Sequence, residues 1–194
     1  MEETRERILD AARRLVVAPG GFAHFTMEAV AREAGVSRMT VYNQFTSRTR
    51  LLEAAFERIR TVRQHDDLAR AWEHEDPLDR LDDFIDRVGR VWGHDRIMFQ
   101  RLYALAALDP DFATVLQPRM ERRRLALAAV VAALHERYGT PAEEDVGVLG
   151  DVLYAIVSFN TFEALARDER SFEDVIPIVL RLAREAIGFP LVAA

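Results

Sequence analysis

The chain has 194 residues, of which 49% are hydrophobic and 30% are charged, a balance typical of a globular protein rather than a disordered one. Cysteine is absent, which excludes disulfides, thiolate metal sites and cysteine nucleophiles. The net charge of −6 is uneven, because residues 1–60 carry ten Arg and eight acids whereas residues 61–194 carry sixteen and twenty-four. A charged N-terminus without a signal segment predicts a cytoplasmic protein, and no apolar run is long enough to predict a membrane span.

Hydrophobic periodicity predicts an all-α chain, whose first helix runs from about Thr4 to Val17. Residues 26–45 then indicate two short helices joined at Gly35, a residue suited to the left-handed conformation that ends a helix. Thr26 and Ser37 stand at the N-cap positions of these two helices. A helix, a glycine turn and a second helix form the arrangement that places its second helix in a DNA major groove.

The second helix of this pair presents polar side chains on the side opposite its core residues, Val41 and Phe45. Arginine pairs with guanine, asparagine or glutamine pairs with adenine, and hydroxyl and guanidinium groups also bind phosphates. We predict phosphate contacts from Thr26, Tyr42 and Arg48, base reading by Arg38, Asn43 and Gln44, and further DNA contacts from Met39 and Thr40. The alternative for Tyr42 is a partly buried ring in the core of the motif. Arg5 and Arg7 are further candidates for flanking phosphates.

Residues 4–58 as a whole resemble the N-terminal domain of the TetR family of bacterial ligand-responsive repressors. The resemblance is carried by the motif, by Arg7-Ile8-Leu9-Asp10-Ala11-Ala12 before it and by Phe45-Thr46-Ser47-Arg48 after it. The family usually has Lys where Arg48 stands, and an acid at Glu28 is unfavourable beside a DNA backbone. The resemblance implies a three-helix helix-turn-helix DNA-binding domain at residues 1–50, followed by a larger helical bundle at residues 51–194 for ligand binding and dimerisation.

The rest of the chain also has a helical pattern. Helices are predicted at about residues 48–72, 77–92, 95–108, 118–138, 142–167 and 171–187, with a short helical turn at 111–116. Pro118 is expected to begin its helix, and Pro177 to kink the last helix or to mark its true start. Residues 125–134 have no polar side, which predicts a central position in the helical bundle at residues 51–194, called the body below.

The predicted helix at residues 142–167 is apolar on two sides, so it needs two partners. One side carries Leu149, Leu153 and Ile156, and the other carries Val152, Phe159 and Phe162. The family resemblance implies that the second partner is the same helix of another subunit, so that the last two helices form a homodimer interface. The alternative is a helix buried in the core of a monomer. A two-fold dimer is suited to a palindromic operator of double-stranded DNA.

Aromatic residues are frequent in the body, and in the family such residues line a cavity for a small-molecule inducer. The predicted ligand-binding residues are Trp92, Phe99, Tyr103, Phe159, Asn160, Phe162 and Glu163. Ordinary core packing is the alternative for each ring, and Glu163 would favour a cationic ligand if it pointed inward. The inducer itself is not identified by the sequence.

One motif favours an enzyme of another class. Asp82-Asp83-Phe84-Ile85-Asp86 has the spacing of the magnesium-binding aspartates of all-helical prenyl-transfer enzymes. A second acidic motif is not seen, and the three carboxylates stand beside arginines on what is expected to be a solvated face. The preferred hypothesis is therefore a ligand-responsive DNA-binding regulator, with no catalytic residues, no cofactor and no metal ligands. The small magnesium-dependent enzyme remains the alternative.

Overall fold

The computed structural model describes residues 2–61, 65–167 and 170–189, and over these ranges the chain is helical, without a β-strand. The α-helices are α1 (Glu2–Val17), α2 (Met27–Ala34), α3 (Arg38–Gln44), α4 (Arg48–Thr61), α5 (His65–Arg70), α6 (Pro77–His94), α7 (Arg96–Leu108), α8 (Pro110–Tyr138), α9 (Val146–Ile156), α10 (Phe159–Leu165) and α11 (Phe172–Ala186). Short 3-10 turns lie at Gly21–His24, Ala71–Glu73 and Glu143–Asp145. The predicted all-α fold class is confirmed.

The chain divides into two compact units. Unit 1 comprises Met1–His65 and Arg96–Leu116, and so contains α1 to α4, α7 and the first turns of α8. Unit 2 comprises Asp66–Asp95 and Gln117–Ala194. The domain boundary predicted between residues 50 and 51 divides the chain by function rather than by packing, and it stays a prediction.

Unit 1 is built around α1, whose core face follows the three- and four-residue spacing of an amphipathic helix. The buried residues of α1 are Ile8, Leu9, Ala11, Ala12 and Val16. This helix packs against α2, α4 and α7. Phe56 of α4 meets Phe99 of α7 edge to face, with 5.6 Å between the ring centroids. Because of these contacts, α7 shares a core with the first four helices although it follows them by a long stretch of chain.

Unit 2 centres on α11, which packs against α6, α9 and α10. The helices α6 and α11 approach closely at Gly89, where a Cβ atom would lie 2.6 Å from Cγ1 of Ile176 and 2.8 Å from Cε1 of Phe162. Carbon atoms pack favourably at about 3.5–4.0 Å, so a larger residue at Gly89 would push these two side chains away. The absence of a side chain at this position sets the packing distance of the two helices.

The start of α8 differs from the prediction. This helix begins at Pro110, and Pro118 lies inside it rather than at its start. The carboxylate of Asp109 accepts a hydrogen bond from the Phe112 amide at 3.1 Å, and a proline in the first turn lacks only an amide that would have had no helical partner. The predicted separate turn at residues 111–116 is therefore wrong. The prediction for residues 125–134 is wrong in part, since Leu125 is 59% exposed.

The single helix predicted at residues 142–167 is broken into α9 and α10, whose axes are bent by 53°. The Ser158 hydroxyl accepts a hydrogen bond from the Thr161 amide at 3.2 Å and so begins a new helix. The Thr161 hydroxyl donates to the carbonyl of Ala155 at 2.7 Å, which satisfies a carbonyl at the end of α9. The capping chemistry of these polar side chains outweighs the continuous apolar pattern that predicted one helix.

Two further predictions concern helix ends. Pro177 lies inside α11, which begins earlier, because Ser171 and Asp174 form a reciprocal capping box at its first turn. The helix predicted at residues 48–72 is represented by α4, α5 and a 3-10 turn, and its residues 62–64 lie outside the described part of the chain. Within the described ranges, no single helix has the length and hydropathy to cross a membrane; the bent pair at residues 143–156 and 159–165 meets those requirements jointly.

Candidate nucleic-acid interface

The helix-turn-helix is formed by α2 and α3, and local capping determines its shape. Thr26 Oγ1 accepts a hydrogen bond from the Ala29 amide at 3.0 Å, and Ser37 Oγ accepts one from the Thr40 amide at 3.0 Å. Gly35, with φ of 65° and ψ of 37°, ends α2 in the left-handed conformation that favours glycine. The three predicted roles are confirmed. Val41 is buried on the inner side of α3, so the opposite side of this short helix faces outward.

The turn is also held from α1, by an arginine that the motif analysis assigned differently. Arg7 Nη2 donates to the carbonyl oxygen of Ala34 at 2.6 Å and to that of Gly35 at 3.3 Å. These carbonyls lie at the end of α2, where the helix dipole favours a positive charge. The guanidinium of Arg5 lies 4.5 Å from the centroid of the Phe45 ring. Both arginines therefore support the motif from within unit 1, a role without a local sequence signal because Arg7 and Ala34 are 27 residues apart.

The outer face of α3 carries Arg38, Met39, Tyr42 and Asn43, all of them exposed, with Gln44 half-buried beside them. Met39 is 68% exposed, a high value for a large apolar side chain. Arg38 Nη2 donates to Tyr42 Oη at 3.4 Å, and its guanidinium lies 5.3 Å from the centroid of the Tyr42 ring. The hydrogen bond to Tyr42 raises the pKa of Arg38 above its ordinary value, so this side chain stays cationic. The face thus combines a fixed positive charge, a phenol and an amide.

Thr40 and Thr26 are partly engaged in capping. The hydroxyls of Thr40 and Ser37 lie 2.8 Å apart in a mutual hydrogen bond, and Thr26 is exposed while it caps α2. Each hydroxyl has further capacity, since an oxygen of this kind can accept two hydrogen bonds and donate one. Thr26 lies at the start of α2 and Thr40 in the first turn of α3, and DNA contact by either residue stays a prediction.

Arg48 stands at the first position of α4. Its Nη1 lies 3.6 Å from Oδ2 of Asp109, and its guanidinium lies 5.9 Å from the centroid of the Phe25 ring. Its Nε atom is enclosed and, among the described residues, forms no hydrogen bond. The side chain as a whole remains 38% exposed.

The residues predicted to bind a ligand fall into two groups. Trp92, Phe159 and Phe162 are buried together in unit 2, with Trp92 stacked edge to face on Phe159 at 5.9 Å and on Phe162 at 5.5 Å. Phe172, which was not predicted, packs on both phenylalanines at 5.6 and 5.5 Å. Asn160 is exposed and Glu163 is half-buried in the same unit, whereas Phe99 and Tyr103 belong to unit 1. Ligand binding by this set stays a prediction.

The aspartates of the proposed magnesium motif are each engaged with a basic side chain. Asp82 accepts two hydrogen bonds from Arg184 at 2.9 and 2.5 Å, and Asp86 accepts two from Arg90 at 2.8 and 3.1 Å. Asp83 lies 2.7 Å from Arg87 and 3.0 Å from the His74 ring; burial opposes its ionisation, but these partners lower its pKa below the ordinary value. The described residues contain no group of three side chains placed to hold a metal ion. This geometry does not support the magnesium-enzyme alternative.

Residues 8–55 match the family model described as bacterial regulatory proteins, tetR family, and the match spans both helices of the helix-turn-helix and Arg48. Over this N-terminal segment the chain matches the TetR family. Over 80 residues it is 39% identical to the probable HTH-type transcriptional regulator ArpR of Pseudomonas putida, an alignment covering 41% of this chain and 37% of that protein. The chain thus matches little more than a third of this curated relative.

The likeness of this chain to solved structures extends over almost its whole length. It covers 99% of this chain and 100% of a TetR transcription regulator from Haloarcula marismortui, with a TM-score of 0.74 and 20% identity. It covers 96% of this chain and 97% of NalD, the secondary repressor of the MexAB-OprM multidrug efflux pump in Pseudomonas aeruginosa, with a TM-score of 0.69 and 22% identity. At these identities the likeness concerns the fold alone, and it agrees with the predicted helix-turn-helix domain followed by a larger helical bundle.

Proposed function

We propose that this TetR-family protein is a cytoplasmic DNA-binding transcriptional regulator, a repressor that binds a palindromic operator as a homodimer and is released by a small-molecule inducer. The observation that carries the proposal is the outer face of α3, a capped and internally anchored helix with polar side chains directed outward. Repression is the mode that the resemblance of the N-terminal segment to the TetR family implies.

The roles of the individual side chains follow from their chemistry. Arg38 and Asn43 carry the donor and amide groups that distinguish guanine from adenine in the major groove, and Gln44 lies beside them. Tyr42, through its hydroxyl, and Arg48, through its partly exposed side chain, are suited to phosphates, which position the helix without reading sequence. Because Arg38 donates a hydrogen bond to Tyr42 at 3.4 Å, the two side chains are held on the same side of α3.

Dimerisation is supported by apolar side chains that unit 2 leaves uncovered. α9 and α11 are in contact with each other, and Val148 of α9 is 64% exposed while Leu182 of α11 is 40% exposed. Half-buried apolar residues of the same two helices include Val146, Leu149, Val152, Ile156, Ile178 and Leu180. Neighbouring apolar residues at the surface of a monomer mark an interaction site. A two-fold dimer through α9 and α11 would give the two α3 helices the symmetry of a palindrome.

Ligand response is proposed for unit 2, where the buried rings of Trp92, Phe159 and Phe162 supply apolar surface for a small molecule. A ligand can release DNA only by its difference in affinity between the DNA-binding and the non-binding states. The proposal therefore requires that inducer binding alter the arrangement of the two α3 helices in the dimer.

The decisive experiment is fluorescence anisotropy with duplexes tiled from the DNA upstream of the protein's own coding region, at several salt concentrations. One tile should bind saturably and lose affinity steeply as salt increases. Tyr42→Phe and Arg48→Ala should weaken binding to all sequences, and Arg48→Ala should lower the salt slope by about one, whereas Gln44→Ala should change sequence preference. Arg122→Ala, an exposed charge change in unit 2, is the matched control and should leave binding unchanged. Absence of binding at low salt would refute the proposal.

A further inference from the structure

Asp109 uses its two carboxylate oxygens for different purposes. Oδ1 accepts the hydrogen bond from the Phe112 amide and so caps the N-terminus of α8. Oδ2 faces Arg48 Nη1 at 3.6 Å. The carboxylate is therefore fixed by the helix that it caps, and its second oxygen carries negative charge to the arginine proposed to bind a DNA phosphate. All of these groups lie in unit 1.

The distance between Arg48 and Asp109 indicates a weak ion pair, in which a phosphate could replace the carboxylate. At 3.6 Å the two groups are too far apart for a hydrogen bond, whereas a guanidinium binds a phosphate oxygen at about 2.7–2.9 Å. Neither side chain is fully buried, with 38% of Arg48 and 28% of Asp109 exposed, so water moderates the attraction. A phosphate would therefore displace the carboxylate from Arg48, although the nearby negative charge would still oppose the phosphate.

We propose that Asp109 restrains DNA binding by this protein, because its carboxylate competes with DNA phosphate for Arg48. The proposal rests on the proposed function, since it assigns Arg48 to the DNA backbone. α8 begins in unit 1 and ends in unit 2, and the residue that caps its first turn is the competitor. The position of the first turn of α8 therefore sets how strongly Arg48 is held, which makes Asp109 a regulatory residue of the DNA-binding unit.

The test compares two substitutions that remove the same charge from the same region. Asp109→Asn keeps an oxygen that can cap α8 but removes the charge facing Arg48. Asp111→Asn removes the charge of an exposed residue in the first turn of α8. The backbone carbonyl of Asp111 accepts a hydrogen bond from the Thr114 hydroxyl, and the substitution leaves that carbonyl in place. Both are combined with Arg48→Ala, and affinity is measured by anisotropy on the best-binding upstream duplex and on a scrambled duplex. Asp109→Ser, a second capping residue, serves if Asp109→Asn is poorly folded by circular dichroism.

The expected result is that Asp109→Asn binds both duplexes about two- to fivefold more tightly than Asp111→Asn, the range for a partly exposed ion pair. Equal effects on both duplexes are expected because phosphate contacts are independent of sequence. In the Arg48→Ala background the difference between the two asparagine variants should disappear. This loss of coupling separates competition at Arg48 from a general change of charge.

Three outcomes would overturn the inference. Equal affinities of the two asparagine variants would mean that the contact between Arg48 and Asp109 has no influence on DNA affinity. Weaker binding by Asp109→Asn would mean that Asp109 positions Arg48 for DNA rather than withholding it. A difference that persists with Arg48→Ala would place the effect at another residue. If the wild-type protein bound no duplex even at low salt, the proposed function itself would fail, an outcome distinct from these three.

Discussion

Gly89 offers a sharp test of the packing in unit 2. In a Gly89→Ala variant the new Cβ would lie 2.6 Å from Ile176 Cγ1 and 2.8 Å from Phe162 Cε1, about 1 Å inside the favourable contact distance. Overpacking of a core in this way costs about 1–3 kcal/mol. Replacing glycine by alanine in a helix stabilises it by about 1 kcal/mol, so we expect a net loss of stability of up to about 2 kcal/mol.

Gly147 provides the matched control for this substitution. It lies in α9, and a Cβ atom there would have no neighbour within 4 Å, so Gly147→Ala should stabilise the protein by up to about 1 kcal/mol. If the same glycine-to-alanine change lowers stability at Gly89 and raises it at Gly147, then packing, not helix propensity, decides the result at Gly89.

The assay is urea unfolding followed by tryptophan fluorescence. The chain contains two tryptophans, Trp72 and Trp92, and both belong to unit 2, so the signal reports on the unit that contains both glycines. Midpoints of wild type and the two variants should rank Gly147→Ala first, wild type second and Gly89→Ala last. If Gly89→Ala proved as stable as Gly147→Ala, the close approach of α6 and α11 would be wrong.

Two further predictions concern DNA binding and dimerisation. Arg7→Ala should lower stability by about 1–2 kcal/mol because the Ala34 carbonyl loses its donor, and it should weaken DNA binding without changing the salt slope; a slope lower by about one would instead show that Arg7 contacts a phosphate. Val148→Glu and Leu182→Glu should each lower the dimer fraction measured by light scattering, because a charge cannot be buried unpaired in an apolar interface. Leu108→Glu, at an apolar residue of unit 1 that is 84% exposed, is the control, and an equal effect there would contradict the proposed interface.

The helix-turn-helix is the part that local sequence predicted best. Thr26, Gly35 and Ser37 act within three or four residues of their own positions, through a capping hydrogen bond or a left-handed backbone. Such effects depend on residue type and spacing alone, so they can be predicted from the sequence without knowledge of the fold. The family resemblance, confirmed by the match over residues 8–55, covers the same part of the chain.

Helix boundaries in the body were predicted less well, because local signals there conflict. Pro118 suggested a helix start, but Asp109 and Pro110 had already supplied one. The apolar pattern suggested one helix through residues 142–167, but the hydroxyls of Ser158 and Thr161 ended and restarted it. In each case a second local signal was present, and the sequence did not show which one would prevail.

By itself, the sequence determined the helical class, the caps of the helix-turn-helix and the outward side of α3. The tertiary structure decided which distant residues meet: Arg7 at the end of α2, Phe99 against Phe56, and Asp109 beside Arg48. Helix caps and amphipathic faces arise from neighbours along the chain, whereas these contacts join positions from 27 to more than 60 residues apart. They form because burying the faces of α1, α4 and α7 in one core removes apolar surface from water. The polar contacts at the rim of that core are a consequence of its packing.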